Sequence, residues 1–103
     1  MRRAARTDGK HAEILADLRS AGFSVADTHA LGKDFPDAAI ARRGICALLE
    51  IKTPRGRKTA EQRLSDGQSE FAKTWNGPVI AAFTTEEVMY KFGALLKRSG
   101  YVR

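Results

Sequence analysis

The chain has 103 residues, 43% of them hydrophobic and 29% charged, with a net charge of +6. That length suits a single domain over residues 1–103 with its own core, and the composition is globular rather than disordered. No apolar run approaches the roughly 18 residues that span a bilayer, and the basic start Met1-Arg2-Arg3 leads into no signal-type stretch. A cytoplasmic location and a polyanionic partner are the expectations, with no membrane partner.

The first helix is predicted from about Gly9 to Ala21, with Asp8 as its N-cap and Gly22 as its terminator. Ile14, Leu15, Leu18 and Ala21 form its apolar stripe. Phe23 to Ala30 reads as a strand, and Leu31 to Pro36 as a loop broken by Gly and Pro. Two apolar runs, Asp37–Arg42 and Ile45–Lys52, flank Arg43-Gly44 and predict a hairpin. Cys46 lies in the second run. One thiol forms neither an internal disulfide nor a zinc site, and a buried small hydrophobe is the expected role.

Thr53 to Leu64 is a polar, basic loop. Ser65-Asp66-Gly67-Gln68 has the form of a capping box, opening a helix that carries Phe71, Ala72 and Trp75 and ends at Gly77. Phe71 and Trp75 are expected in the core. Pro78 to Phe83 is a short strand. Thr84 to Glu87 forms a second capping box, opening a helix with Val88, Phe92, Leu95 and Leu96 on one face and Gly100 at its end. The predicted class is α/β, in the order α-β-β-β-α-β-α. The first three strands form an antiparallel meander and the fourth lies parallel to the third, reached by a right-handed crossover. The mixed four-stranded sheet is flanked by helices on both faces.

The hairpin register brings the candidate chemistry together. If Arg43-Gly44 is a two-residue turn, Arg42 pairs with Ile45, and outward pairing sets Asp37 opposite Glu50. Directly opposed residues share a face, with β-carbons about 5 Å apart. Lys52, two residues beyond Glu50, points the same way. A longer turn would shift the pairing but leave Asp37 near Glu50. Two such carboxylates repel, and a divalent cation would remove the conflict. Hard oxygen donors suit Mg²⁺. The competing reading is an ordinary ion pair at a sheet end, which contributes little.

These residues carry a resemblance. Pro36-Asp37, twelve intervening residues, then Glu50-Ile51-Lys52 resembles the PD-(D/E)xK motif of the restriction-endonuclease-like nuclease superfamily. The superfamily core is αβββαβ, with the Asp opening the second strand and Glu-x-Lys on the third. The resemblance spans about Asp8 to Leu96. Within the superfamily the chain is most similar to the short phage and bacterial proteins of the VRR-NUC and Holliday-junction-resolvase branches. That likeness rests on Leu49-Glu50-Ile51-Lys52-Thr53, Leu64-Ser65-x-x-Gln68 and Trp75.

The resemblance implies metal-assisted hydrolysis of DNA in a bacterial or phage-infected cell. Asp37, Glu50 and the backbone carbonyl of Ile51 would hold Mg²⁺ or Mn²⁺, and Lys52 would orient or help deprotonate the nucleophile. Related resolvases carry a glutamate on the first helix. Helix geometry turns Glu13 outward and His11 inward, so His11 takes that position. His11 then either contacts a metal-bound water or a phosphate, or is a core-edge histidine with one hydrogen bond. Gln68 has two readings as well, an active-site residue or simply the closing member of its capping box.

Arg6, Lys10, Lys33, Arg55, Arg57, Lys58 and Arg63 are the expected contacts to the DNA backbone, which position without reading sequence. A small domain has little surface for base readout, so branched DNA and a homodimer with two active sites are expected. Flap, nicking or restriction-type cleavage, and non-catalytic DNA binding, remain alternatives.

Overall fold

The computed structural model of the protein describes residues 9–100. Asp8 and Arg6, expected as a helix cap and a DNA contact, lie outside the described residues. Helix α1 runs over Gly9–Ser20 and buries His11, Ile14, Leu15 and Leu18, which recur at helical spacing on one stripe. It stops in a Schellman turn: Phe23 N donates to Leu18 O and Gly22 N to Arg19 O, both at 3.0 Å. Gly22 adopts φ 99°, a left-handed conformation that disfavours any side chain.

Strand β1 is Ser24–Asp27, shorter than the predicted Phe23–Ala30. The cause is local. The Asp27 carboxylate accepts from His29 N at 3.2 Å, bending the chain two residues on. His29–Leu31 then form a 3₁₀ turn in place of strand or open loop.

Strands β2 (Ala38–Arg42) and β3 (Ile45–Ile51) form the hairpin. Arg43 and Gly44 have φ of 55° and 81°, the positive pair a type I′ turn demands. The register runs from Arg42↔Ile45 to Ala38↔Leu49, as the two-residue turn requires.

Helix α2 covers Asp66–Thr74, with both halves of the Ser65–Gln68 capping box formed. It ends at Trp75 rather than Gly77. Strand β4, Val79–Ala82, runs parallel to β3 with Leu48↔Val79 through Ile51↔Ala82. Helix α3, Thr85–Arg98, starts with Thr84 Oγ1 accepting from Glu87 N at 3.1 Å. The Glu87 carboxylate accepts from Phe83 N at 2.7 Å, one residue further back than a capping box would have it.

The sheet order is β1-β2-β3-β4, antiparallel except for the β3–β4 pair. Strand alternation divides it. Ala38, Ile40, Ala47, Leu49, Ile80 and Ala82 join Ile14, Leu15, Leu18, Phe23, Val88 and Phe92 in one core beneath α1 and α3. Leu18, Ile40, Leu49 and Phe92 are almost wholly excluded from water, and each such side chain contributes about 1.5–3 kcal/mol on burial.

The opposite face is less covered. Cys46, paired with Ala41 on that face, is exposed, contrary to its expected burial. The apolar run around it marks a strand without saying which face is packed. Helix α2 reaches this face at its first turn, where Gln68 meets Glu50. Trp75 also departs from expectation, at 45% exposed. It has left the helix, with φ −72° and ψ 129°, so helical spacing no longer aims it inward. It stacks on Phe71 at 5.2 Å between centroids, and the Phe35 ring meets Phe71 edge-on at 5.4 Å. No helix among the described residues is long and apolar enough to cross a membrane.

Candidate active site

β2 and β3 pair as far as Ala38↔Leu49, and Asp37 and Glu50 are the next residue along each segment. Both stand at the end of the hairpin away from its turn. Asp37 Oδ2 accepts from Ile51 N at 2.8 Å, which fixes its carboxylate against β3. Glu50 is only 6% exposed, and its Oε2 accepts from Gln68 Nε2 at 3.2 Å. Lys52 Nζ donates to Gln68 Oε1 at 3.1 Å.

Gln68 fills both of its alternative roles with one side chain. Its Oε1 also accepts from Ser65 N at 2.9 Å, while its backbone N donates to Ser65 Oγ at 3.1 Å. The amide therefore caps α2 and bridges Glu50 to Lys52.

Burial pushes the Glu50 carboxyl up to about 8, helped by the neighbouring Asp37 charge and a hydrogen bond with Asp37. Lys52 opposes this rise, and Asp34 adds to it. Asp34 was not foreseen. It sits in the loop before Asp37 at φ 68°, after Lys33 at φ 52°. Its carboxylate rests against the first turn of α2, where negative charge is favoured. A Cβ on Gly67 would lie 2.6 Å from Asp34 Cγ, so the contact requires a residue without one. The one sequence signal was a glycine inside a helix's first turn, where propensity alone disfavours it.

His11 is buried and Glu13 exposed, as helical spacing predicts. His11 Nε2 lies 3.8 Å from Asp27 Oδ1, and its ring meets the His29 ring at 5.4 Å. His29 Nδ1 lies 2.9 Å from the same Asp27 oxygen. Neither Asp27 nor His29 stood out in the sequence, because their pairing with His11 depends on how α1 lies along β1.

Two of the basic residues are hydrogen-bonded to the backbone at the end of β3 and just beyond it. Lys10 Nζ donates to Lys52 O at 3.3 Å, tying α1 to the end of β3. Arg63 Nε donates to Thr53 O at 2.9 Å, folding the basic loop back on itself. Lys33, Arg55, Arg57 and Lys58 are exposed.

Asp37 and Glu50 offer hard oxygen donors, and the Ile51 carbonyl adjoins them in sequence. A buried carboxyl that the protein alone leaves protonated at neutral pH is a donor a divalent cation would ionise, so the pair fits such an ion. Among the described residues, one group of three potential metal-ligating side chains lies close together, and it is His11, Asp27 and His29. Asp37 and Glu50 form a pair. In comparisons with known proteins, no family model and no curated sequence matches the chain.

Proposed function

We propose that the protein is a metal-dependent DNA endonuclease with a restriction-endonuclease-like core. The observation that carries this reading is Glu50, buried at a sheet end beside Asp37 and joined through Gln68 to Lys52. A buried carboxyl beside a second acid is costly to ionise without a cation, and such a pair beside an amine is the pattern of a phosphoryl-transfer site. The mixed sheet with helices in the order α-β-β-β-α-β-α agrees with such a core.

In this reading Asp37 and Glu50 hold Mg²⁺ or Mn²⁺, with the Ile51 carbonyl beside them. The ion would supply an acidified water and charge neutralisation at the phosphate. Asp37 is kept in place by the Ile51 amide, and Glu50 by the Gln68 amide. Lys52 is held at the pair by Gln68, where its ammonium can bind the attacked phosphate and orient the nucleophile. Lys33, Arg55, Arg57 and Lys58 grip the backbone without reading bases. The small basic surface favours branched DNA, cut by a homodimer as Holliday-junction resolvases do.

The test is a cleavage assay with Mg²⁺ or Mn²⁺ on labelled junction, flap, duplex and single-stranded DNA. Wild type should cut, with junction preferred. Asp37→Ala and Glu50→Ala should lose more than the roughly 10–100-fold that follows even from removing a residue that merely orients a ligand. Full cleavage by either variant would overturn the site. DNA binding with no cleavage by wild type would point to a non-catalytic DNA-binding protein.

A further inference from the structure

Three segments that share no sequence motif bring nitrogen and oxygen donors to one point. His11 comes from the first turns of α1, Asp27 from the last position of β1, and His29 from the 3₁₀ turn that follows. One ligand atom from each lies within 4.8 Å of the others. We propose that His11, Asp27 and His29 form a transition-metal site, separate from the Asp37–Glu50 pair, that clips α1 to the edge strand β1.

The geometry is near what such an ion needs. Zinc bonds of about 2.0–2.1 Å at tetrahedral angles set neighbouring ligand atoms about 3.4 Å apart. The His11–Asp27 and His29–Asp27 separations, 3.8 Å and 2.9 Å, fall on either side of that spacing. Small side-chain rotations equalise them, and an ion then replaces the His29–Asp27 hydrogen bond. Asp27 Oδ1 is already oriented by the His29 backbone amide at 3.2 Å, the kind of outer contact that fixes a ligand.

Access is graded. The His11 side chain is 10% exposed, His29 34% and Asp27 41%, so an ion enters from the Asp27–His29 side and keeps a position open to water. Two imidazoles and one carboxylate favour Zn²⁺, Co²⁺ or Ni²⁺ over Mg²⁺. The two sites therefore sort metals by donor type. This inference does not depend on the nuclease reading.

Co²⁺ titration of the full chain without a tag, stripped with chelator, tests it through visible d–d absorption. Wild type should bind one equivalent with the intense absorption of four- or five-coordinate Co²⁺, distinct from any weakly absorbing ion at Asp37–Glu50, and Zn²⁺ should displace it and raise the thermal midpoint. His29→Ala and Asp27→Asn should each weaken uptake at least about tenfold, while Glu50→Gln keeps it. His29 is partly exposed, so its removal spares the core, and circular dichroism checks the fold. Absence of Co²⁺ uptake overturns the proposal and leaves a hydrogen-bonded His–Asp–His cluster. Equal uptake by His29→Ala, or its loss in Glu50→Gln, also overturns it.

Discussion

Replacing Glu50 by Gln tests how the buried carboxyl affects folding. An ordinary glutamate loses its proton near 4.5, whereas Glu50 is pushed up to about 8 by burial and by Asp37. Between those values the folded protein keeps a proton that the unfolded chain has released. Stability from this group therefore falls as pH rises through the window, and the loss is complete above the folded value. At about 1.36 kcal/mol per pH unit, the ceiling on that loss is on the order of 5 kcal/mol. Water reaching the site on ionisation lowers it, and a difference of about 2–3 kcal/mol is expected. Glutamine keeps the shape and can still accept from Gln68, but it does not titrate. Urea unfolding in chelator at about pH 5, 7 and 9 measures the effect. The two proteins should be close in stability at the lowest pH, and Glu50→Gln increasingly the more stable as pH rises. Parallel profiles would refute the reasoning, because they would mean that Glu50 ionises as freely folded as unfolded.

Gly67→Ala should fail to stabilise α2, although alanine is favoured over glycine in helices by up to about 1 kcal/mol, because its Cβ would strike the Asp34 carboxylate. With Asp34→Ala present the same change should become stabilising, and a double-mutant cycle without that coupling would remove Asp34 from the site. Gln68→Ala should destabilise the protein by about 1–2 kcal/mol, combining the lost cap with the lost Glu50 and Lys52 contacts. A change of only a few tenths in urea unfolding would show that the amide's bonds are replaced by water.

Much of this arrangement was legible in the sequence, for identifiable reasons. Arg43-Gly44 admits a two-residue turn, and a period of two then carries the pairing out to Asp37 and Glu50 without further information. The His11/Glu13 contrast followed from helical spacing against Ile14, Leu15 and Leu18. What escaped depended on the third dimension. Cys46 lies in a strand apolar on both faces, and only the placement of α1 and α3 decides which face is dry. The end of β1 was set by one Asp27 hydrogen bond to His29, a local rival to strand pairing. Asp34 reaches Gly67 across 33 positions by a left-handed loop that no periodicity announces. Trp75 was misplaced because the helix stops one residue before it.

Gln68 gives the folding of α2 a direct chemical outcome. The hydrogen bonds that start the helix share their side chain with those that hold Glu50 and Lys52. Fraying of the first turn therefore dissolves the link between carboxylate and ammonium in the same event, and neither can be lost by halves. Amide exchange at Gln68 should thus report the lifetime of the assembled site, since opening one opens the other. Nucleating a helix and assembling the Glu50–Gln68–Lys52 cluster become one cooperative transition, with Ser65 as its latch.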